Sequence, residues 1–393
     1  MHGDRPSGGR VLIVAGGSYV EFCLYPYWRR LFGSGLRAAL ALQHLSPDTE
    51  LFTYAPPHYA DDVMASLRGA GLKGHISPAT ESMRFEWLHP FQLTDFPNAA
   101  MGQLPTIDVV APSVLRFGML EGSARVQAER VVYSLQNETE GFFENGSNAK
   151  ELVMVISERE LERMLPEART ASDRIAQLFE HNDYSALRHF AILLRNELGD
   201  VTLHPRRSSA VKVPTYASAS YFKIGSGDVL AAAFAHAWLE EGQDLEAAAD
   251  RAARSLAWFI QDARLPLPMD HALPTRRSSG FFPDRVRILG SETLEMGQLL
   301  VATLDWLERQ KIEVVMELDG EGSRAPADVP TLVLVGARTM LNEVRDLAAS
   351  SATASRRIVF SNGIAGLDAF FPNANFVEDY ASALYHLLRS QGA

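Results

Sequence analysis

Short apolar runs alternate with amphipathic stretches along roughly the first two thirds of the chain. Runs typical of buried strands occur at 11–15, 51–55, 107–112, 130–135, 152–157 and 190–194. Apolar residues with helical spacing lie between several of them, for example at 36–45 and 158–165. Strands that alternate with helices predict βαβ units, and hence an α/β fold whose mostly parallel sheet is covered by helices on both faces.

A stretch rich in proline, serine and charge interrupts this pattern and has no periodicity, which predicts a linker. Beyond it the alternation restarts with the strand pattern VRILG, a long helix at 296–310 and further apolar strands. About a hundred residues of this kind are typical of one small domain. The sequence therefore predicts three segments: a first domain at 1–265, a linker at 266–284 and a small Rossmann-like α/β domain at 285–393.

Composition narrows the class of protein and its partners. The chain is 47% hydrophobic and 22% charged, with a net charge of −11 and no run rich in lysine or arginine. This balance disfavours nucleic acid and anionic membranes as partners. The only cysteine, Cys23, excludes an intramolecular disulfide and fits a reducing compartment. No apolar run approaches the ~18 residues that span a bilayer, and the polar start lacks a signal-peptide core, so we expect a cytoplasmic protein.

The stretch FKIGSGDVLAAAFAHAWLEEG places an acid directly behind a Gly-Ser-Gly turn and at the mouth of a helix. Such a turn points several N–H groups at one spot, and the helix start adds its positive end, so an anion is stabilised there. Asp228 cannot bind a phosphate itself, but it can take the proton from a hydroxyl that attacks one. A plain helix N-cap is the alternative that these residues leave open.

The same stretch, with the alanine-rich helix after it, resembles the C-terminal signature of the ribokinase-like (PfkB) sugar kinases, and the resemblance extends over about residues 10–265. It implies a three-layer α/β/α fold and an ATP- and Mg²⁺-dependent phosphotransferase that acts on a hydroxyl of a sugar or nucleoside-like molecule. It also implies that Asp228 is the catalytic base, and that Gly225, Ser226 and Gly227 form the anion hole for the transferred phosphoryl group.

The sugar pocket of that family is matched near the start of the chain. FGSGLRAALALQHL resembles its second glycine motif, which assigns Gly33, Ser34 and Gly35 to the acceptor. Glu21 stands where the family usually has a sugar-binding aspartate, and Arg37 stands where it has an asparagine. Because an arginine fork favours carboxylate or phosphate, we expect an anionic or nucleoside-like acceptor instead of a plain pentose.

Two further motifs concern the metal and the nucleotide. SERELERML resembles the motif whose glutamate orders water around Mg²⁺, which assigns Glu160 to the metal. AILLRNELGDVTL resembles the turn that embraces the nucleotide, with Asn196 in place of its first glycine and Gly199 kept. A lost glycine hinders close approach of the backbone to phosphate, so a pseudokinase or ligand sensor with the same fold is the alternative.

Two further segments are candidates to lie near the site, one implied by the resemblance and one by its position after a strand. Kinases of this type often pair through a lid sheet over the sugar site, which we expect at 81–104 and which implies a homodimer as one arrangement of the protein. The polar loop 136–148 follows a strand, where open α/β sheets place ligands. Asn137 or Glu140 could face the site, and a solvated loop is the alternative.

The C-terminal segment resembles the nucleoside 2-deoxyribosyltransferase-like fold in VRILGSETLEMGQLLVATLDWLERQ and in TLVLVGARTMLNEVRDLA. The second stretch corresponds to the strand and helix that carry the catalytic glutamate of that family, which assigns this role to Glu343. The resemblance implies cleavage or transfer at an N-glycosidic bond, with the carboxylate as nucleophile. The alternatives are a docking or regulatory unit with Glu343 on a solvated helix face and, more weakly, a scaffold protein without catalysis.

Overall fold

The structure is a computed structural model that describes residues 11–81, 83–92, 104–136, 141–278, 282–290, 293–318, 329–354 and 356–389. Its strands are β1 (Leu12–Ala15), β2 (Val20–Cys23), β3 (Trp28–Leu31), β4 (Glu50–Ala55), β5 (Lys73–Pro78), β6 (Arg84–Trp87), β7 (Ile107–Phe117), β8 (Ala124–Ser134), β9 (Asn148–Ser157), β10 (His189–Arg195), β11 (Val201–Pro205), β12 (Val211–Lys212), β13 (Arg285–Gly290), β14 (Glu313–Leu318), β15 (Thr331–Leu334), β16 (Arg357–Phe360) and β17 (Asn375–Val377). Its α-helices are α1 (Gly33–Leu42), α2 (Pro57–Gly69), α3 (Glu158–Met164), α4 (Ala171–Glu180), α5 (Asn182–Ser185), α6 (Ser226–Ala235), α7 (Leu245–Asp262), α8 (Leu294–Arg309), α9 (Leu341–Ser350) and α10 (Tyr380–Leu388).

The large sheet has the strand order β12-β11-β10-β9-β8-β7-β1-β4-β5. Its pairings are parallel, except that β11 and β12 join the edge as antiparallel strands. The predicted apolar runs all lie in its strands, which confirms the expected mostly parallel sheet. The order reverses at β1, since β4 and β5 lie on one side of it and β7 to β12 on the other. Open α/β sheets bind ligands at the carboxyl ends of strands beside such a point.

Both faces of this sheet are covered by helices, as predicted for a three-layer α/β/α fold. Side chains alternate between the faces of a strand, and β9 shows the result. Val153 and Val155 join the core formed with α1, α6 and α7. Leu152 and Met154 join the core formed with α3 and α4. Because helices cover both faces of the sheet, a central strand such as β9 is apolar on both of its faces.

A separate sheet of three short strands, in the order β3-β2-β6, lies beside the large one. Strand β2 pairs antiparallel with β3 and parallel with β6. Strand β6 falls within the predicted lid segment 81–104, of which residues 82 and 93–103 lie outside the described residues. Asn137 and Glu140 also lie outside them.

The residues from Arg285 onward form a parallel five-stranded sheet in the order β14-β13-β15-β16-β17. Helix α9 packs on one face, with Val344 against Val333 and Val359. Helices α8 and α10 pack on the other face, and their core is continuous with the core of the large sheet. The two sheets therefore share buried apolar contacts, and the division into two domains stays a prediction.

The predicted linker 266–284 packs against the first unit along the part that the structure describes. Leu267 and Leu273 are buried, and the Leu267 amide donates to the Ala41 carbonyl. No helix in the described parts of the chain has the length and apolar character needed to cross a membrane.

Candidate active site

Asp228 lies in the first turn of α6, behind a turn that only glycine accommodates easily. Gly225 precedes the helix with φ +75°, in the left-handed region. Every residue of α6 is buried. The first N–H groups of a helix have no acceptor within the helix, so the start of α6 presents donors and a positive dipole end to the space in front of it.

That space is a cavity of about 180 Å³ beside the carboxyl ends of β8 and β10. The predicted residues Glu21, Arg37 and 225–228 line it. Eight lining residues were not individually assigned from the sequence: Tyr19, Phe85, Trp87, Pro90, Gln136, Arg195, Lys223 and Ile224. The small sheet contributes the aromatic wall of Phe85 and Trp87, so strand β6 covers the cavity from the side opposite α6.

Arg37 joins the two carboxylates of the cavity in one buried network. Its guanidinium donates from Nη1 to Glu21 Oε1 and to Asp228 Oδ2, both at 2.8 Å, and from Nη2 to Glu21 Oε2. All three side chains are at least nine-tenths buried. Three of the five guanidinium N–H groups therefore bind these carboxylates. Binding of an anionic acceptor by Arg37 stays a prediction.

The Asp228 carboxylate is also bound from its other side. Gln136 Nε2 donates to Asp228 Oδ1 at 2.9 Å. Burial raises the pKa of Asp228, while the Arg37 charge opposes the shift and Glu21 adds to it. An ionised carboxylate has about four lone-pair positions, so a hydroxyl in the cavity still finds a free one. A raised pKa makes this carboxylate a stronger proton acceptor.

Two cationic side chains lie on the other side of the glycine turn. A Cβ atom added to Gly227 would lie only 2.8 Å from Arg195 Nη2, so the guanidinium rests directly on the turn. Lys223 Nζ donates to the Glu197 carbonyl at 2.8 Å. Burial lowers the pKa of Lys223 to about 8. Arg195, Lys223 and Asp228 thus line the same cavity, with the two cations beside the glycine turn.

The predicted acceptor residues at the start of α1 lie behind the cavity wall. Gly33, Ser34 and Gly35 are buried, and they are not among its lining residues. The Gly33 amide donates to Glu21 Oε1 at 3.2 Å. The Gly35 amide donates to the Gly17 carbonyl. In this arrangement the glycine motif fixes Glu21, and direct contact with an acceptor stays a prediction.

The turn predicted to hold a nucleotide satisfies its own polar groups. Asn196 Oδ1 accepts from the amides of Leu198 and Asp200, and its Nδ2 donates to Asp200 Oδ2. A Cβ atom at Gly199 would lie 3.2 Å from the Tyr221 hydroxyl. Neither Asn196 nor Gly199 lines the cavity that contains Asp228.

The C-terminal unit covers this turn. Trp306 Nε1 donates to Glu197 Oε2 at 3.3 Å. Arg389 Nη2 donates to the Leu198 carbonyl and pairs with Asp200 Oδ1 at 2.6 Å. Helix α10 also stacks Tyr385 on Tyr221, with ring centroids 5.0 Å apart. Residues from α8, from α10 and just beyond α10 therefore occupy the outer side of the turn.

Glu160 acts in the structure as a helix-capping residue. The Ser157 amide donates to Glu160 Oε2 at 2.6 Å, and the Glu160 amide donates to Ser157 Oγ. Its Oε1 lies 3.9 Å from Arg195 Nη2. Among the described residues, no three His, Cys, Asp or Glu side chains come together as a metal-binding group. The role of Glu160 at a metal stays a prediction of the resemblance.

Glu343 lies in the first turn of α9, far along the chain from this cavity. Its Oε2 accepts from the Met340 amide at 3.0 Å, at the N-terminus of the helix. It does not line the cavity of Asp228. The observed contact is that of a helix-capping side chain, and the nucleophile role stays a prediction.

Sequence signals for the missed lining residues exist at two positions. Arg195 ends the otherwise apolar strand FAILLR, and Lys223 stands two residues before Gly225. A cation at the carboxyl end of a buried strand, or beside a glycine turn, is a candidate ligand for an anion. Tyr19 and Gln136 carry no such signal in the sequence.

No family model and no curated protein matches this chain. The similarity that was found is to solved structures. A ribokinase from Cryptococcus neoformans var. grubii serotype A, in complex with ADP, matches with a TM-score of 0.50 and 13% identity, covering 68% of this chain and 98% of its own. A fructokinase from Vibrio cholerae O395, bound to fructose, ADP and calcium, gives 0.49 and 13%, covering 66% and 96%. An Arabidopsis thaliana ribokinase with ribose and ATP gives 0.47 and 13%, covering 67% and 97%.

The likeness to the first of these structures shows that the chain has a ribokinase-like α/β/α fold, which confirms the predicted fold class. At 13% identity it concerns the fold alone and leaves the site residues untested. A nucleoside 2-deoxyribosyltransferase-like fold for the C-terminal unit is not shown by it and stays a prediction.

Proposed function

We propose that the protein transfers a phosphoryl group to a hydroxyl of a small sugar or nucleoside-like molecule bound in the cavity, with Asp228 as general base. One observation carries the proposal: the carboxylate of Asp228 lines a cavity together with the Gly225–Gly227 turn at the start of α6. A base and a set of anion-stabilising amides within one small space are the two groups that phosphoryl transfer to an alcohol requires. The ribokinase-like fold is consistent with this chemistry.

The chain's own residues divide the task in the following way. Asp228 accepts the hydroxyl proton as the oxygen attacks phosphorus, and its raised pKa favours that acceptance. Arg37 and Gln136 hold the two carboxylate oxygens in place. The amides at the start of α6 stabilise the negative charge on the transferred phosphoryl group.

The walls of the cavity favour a neutral acceptor over an anionic one. Its aromatic side chains Tyr19, Phe85 and Trp87 offer flat apolar surfaces. Glu21 and Arg37 pair with each other and so offset each other's charge on this side. A neutral polyol or nucleoside-like molecule fits these surfaces, since its ring stacks on aromatic faces while its hydroxyls bond to Asp228 and Gln136.

ATP and Mg²⁺ are the cofactors that the resemblance implies, and the described residues do not fit either well. The turn assigned to the nucleotide is occupied by Trp306 and Arg389. Glu160, assigned to the metal, caps its own helix, and no metal-binding group of acids or histidines occurs in the described parts of the chain. We therefore assign no step to a nucleotide or a metal. A homodimer and a cytoplasmic location also stay predictions.

The experiment is a screen for phosphate-ester formation by ³¹P NMR, with sugars and nucleosides as acceptors and with ATP plus Mg²⁺ or pyrophosphate as donors. Asp228→Asn removes the base and keeps the shape, so we expect the rate to fall about 10²- to 10⁴-fold. Asp108→Asn is the matched control, because Asp108 is exposed and pairs only with Arg125 in the contacts described. An Asp228→Asn protein that keeps the wild-type rate would remove the base assignment.

A further inference from the structure

The cavity is lined by two cationic side chains that have no part in the proton transfer to Asp228. Arg195 rests on Gly227 and Lys223 lies beside Gly225, and both line the same cavity as the proposed base. Their side chains are 19% and 13% exposed, so they reach the cavity from a largely buried position. Within the described lining, the cations Arg37, Arg195 and Lys223 outnumber the carboxylates Glu21 and Asp228 by one. Arg37 is already paired with both of these carboxylates, whereas Arg195 and Lys223 face Glu160 and Glu197 only at the longer distance of 3.9 Å each.

The cavity ends before it reaches the neighbouring turn 196–200. The Glu197 carbonyl accepts from Lys223 and from the Tyr221 hydroxyl, and the Leu198 carbonyl accepts from Arg389. Glu197 itself is bound by Trp306 and by Arg159. These contacts occupy carbonyl oxygens of the turn, and they place side chains of the C-terminal unit directly against it.

The positive charge for a phosphate in this cavity therefore comes from side chains. Glu160 points its second carboxylate oxygen toward Arg195, and the described residues hold no cage for a metal. Arginine and lysine bind phosphate oxygens through short charge-assisted hydrogen bonds. Together with the glycine turn, whose Ser226 amide donates to the Lys223 carbonyl and so holds the turn against this lysine, they form a site for a compact phosphate anion.

We propose that the phosphoryl donor is inorganic pyrophosphate, bound without a nucleoside by Arg195, Lys223 and the Gly225–Gly227 amides. This inference rests on the proposed function and names its donor. The acceptor oxygen forms the new bond to one phosphorus atom, and the bond from that phosphorus to the bridging oxygen breaks. Orthophosphate leaves with the bonding electrons, and the proton taken up by Asp228 passes to it. Arg195 and Lys223 stabilise the charge that develops on the leaving orthophosphate.

Calorimetric binding to the full-length chain tests the proposal, with pyrophosphate, ATP and ADP compared in the presence of a chelator. Pyrophosphate should bind and the two nucleotides should not. Arg195→Met and Lys223→Met should each weaken pyrophosphate binding about 10- to 100-fold, which corresponds to one lost charge-assisted hydrogen bond. Arg159→Gln is the matched control: it removes a cation that pairs with Glu197 and does not line the cavity.

The pH dependence of binding gives a second readout. Lys223 faces Glu197, Glu160, Arg195 and Arg159, and its pKa of about 8 in the protein means that it loses its charge in mildly alkaline solution. Pyrophosphate affinity should therefore fall as the pH rises through 8. The Lys223→Arg variant keeps its charge and should retain affinity over the same range.

The outcomes separate this inference from the function on which it rests. Absence of pyrophosphate binding, tighter binding of ATP, a requirement for Mg²⁺, or an equal loss in Arg159→Gln would each overturn the donor assignment. Phosphate-ester formation from ATP alone would overturn it while the phosphotransferase function stands. Binding of pyrophosphate that depends on Arg195 and Lys223 supports the site, and failure of every acceptor in the NMR screen would then count against the function and not against the site.

Discussion

Replacement of Arg37 by methionine should destabilise the protein strongly and in a pH-dependent way. Methionine keeps an unbranched apolar stem but removes the guanidinium that pairs with Glu21 and Asp228. Opposite charges about 4 Å apart attract by about 4 kcal/mol at an effective dielectric constant of 20. Part of this is offset because the arginine no longer has to be desolvated. Buried pairs that lose one partner typically lose about 3–5 kcal/mol of stability, and we expect that range here at pH 7.

The sign of the pH effect follows from Asp228. Burial already raises its folded-state pKa, and Arg37 opposes that shift. Without the arginine, the pKa rises further above the unfolded value of about 3.9. The folded variant then takes up a proton that the unfolded chain does not, so lowering the pH stabilises the variant relative to the wild type. Lowering the pH from 7 to 5 should therefore recover part of the lost free energy of unfolding.

Urea unfolding followed by tryptophan fluorescence at both pH values measures these quantities. Arg30→Met is the control, because Arg30 is an exposed arginine on the neighbouring strand β3, and its loss should change stability by about 0.5 kcal/mol or less. A second variant, Arg37→Met with Glu21→Gln, removes one of the two unpaired carboxylates and should recover at least about 1 kcal/mol. A loss under about 1 kcal/mol that does not change with pH would refute the buried ion-pair network.

Three other predictions concern the glycine turn, a buried histidine and the C-terminal glutamate. Gly225→Ala should lower the free energy of unfolding by about 1–3 kcal/mol more than Gly242→Ala in denaturant titrations, because both have positive φ but only the first Cβ would collide with Arg37, whereas the second has open space. Burial lowers the pKa of His89 to about 4, so stability should fall by up to about 3 kcal/mol as the pH drops from 6.5 to 4, and His89→Gln should flatten that dependence in the same titrations. Glu343→Gln should leave phosphate-ester formation unchanged and cost only a few tenths of a kcal/mol, since the amide oxygen still accepts from the helix start; a nucleoside-cleaving activity that disappears in this variant would show that the capping interpretation is wrong.

Apolar periodicity was enough to predict the central strands of both large sheets, most of which are buried on both faces. It did not predict four partly exposed strands: β5, β11, β12 and β17. The apolar pattern predicted none of the three strands of the small sheet, and only the resemblance placed a lid at 81–104, where β6 lies. Each strand has four residues and is too short to show a clear alternation, and β6 joins the sheet only by pairing with the distant β2. Local pattern therefore predicts the layers of the fold but not the small sheet that covers the cavity.

The glycine turn and its acid were predicted because they are contiguous, whereas the partners of that acid were only partly predicted. Glu21 and Arg37 were assigned to an acceptor, but the structure pairs them with each other and with Asp228. The sequence gives the charge of each side chain, but it does not show which charged side chains will pair in the folded protein. One feature of the sequence indicated that α10 packs against other parts of the chain, such as turn 196–200. This helix is apolar on nearly every side. A helix of that kind must be buried all round.

The contacts that complete the cavity region join very distant parts of the polypeptide. Arg37 and Asp228 are 191 positions apart, and so are Leu198 and Arg389. Bringing such positions together requires closure of long loops, which slows folding. The ion pairs around Asp228 exist only once these distant segments have met, so competence to bind a ligand should depend on the folding of nearly the whole polypeptide.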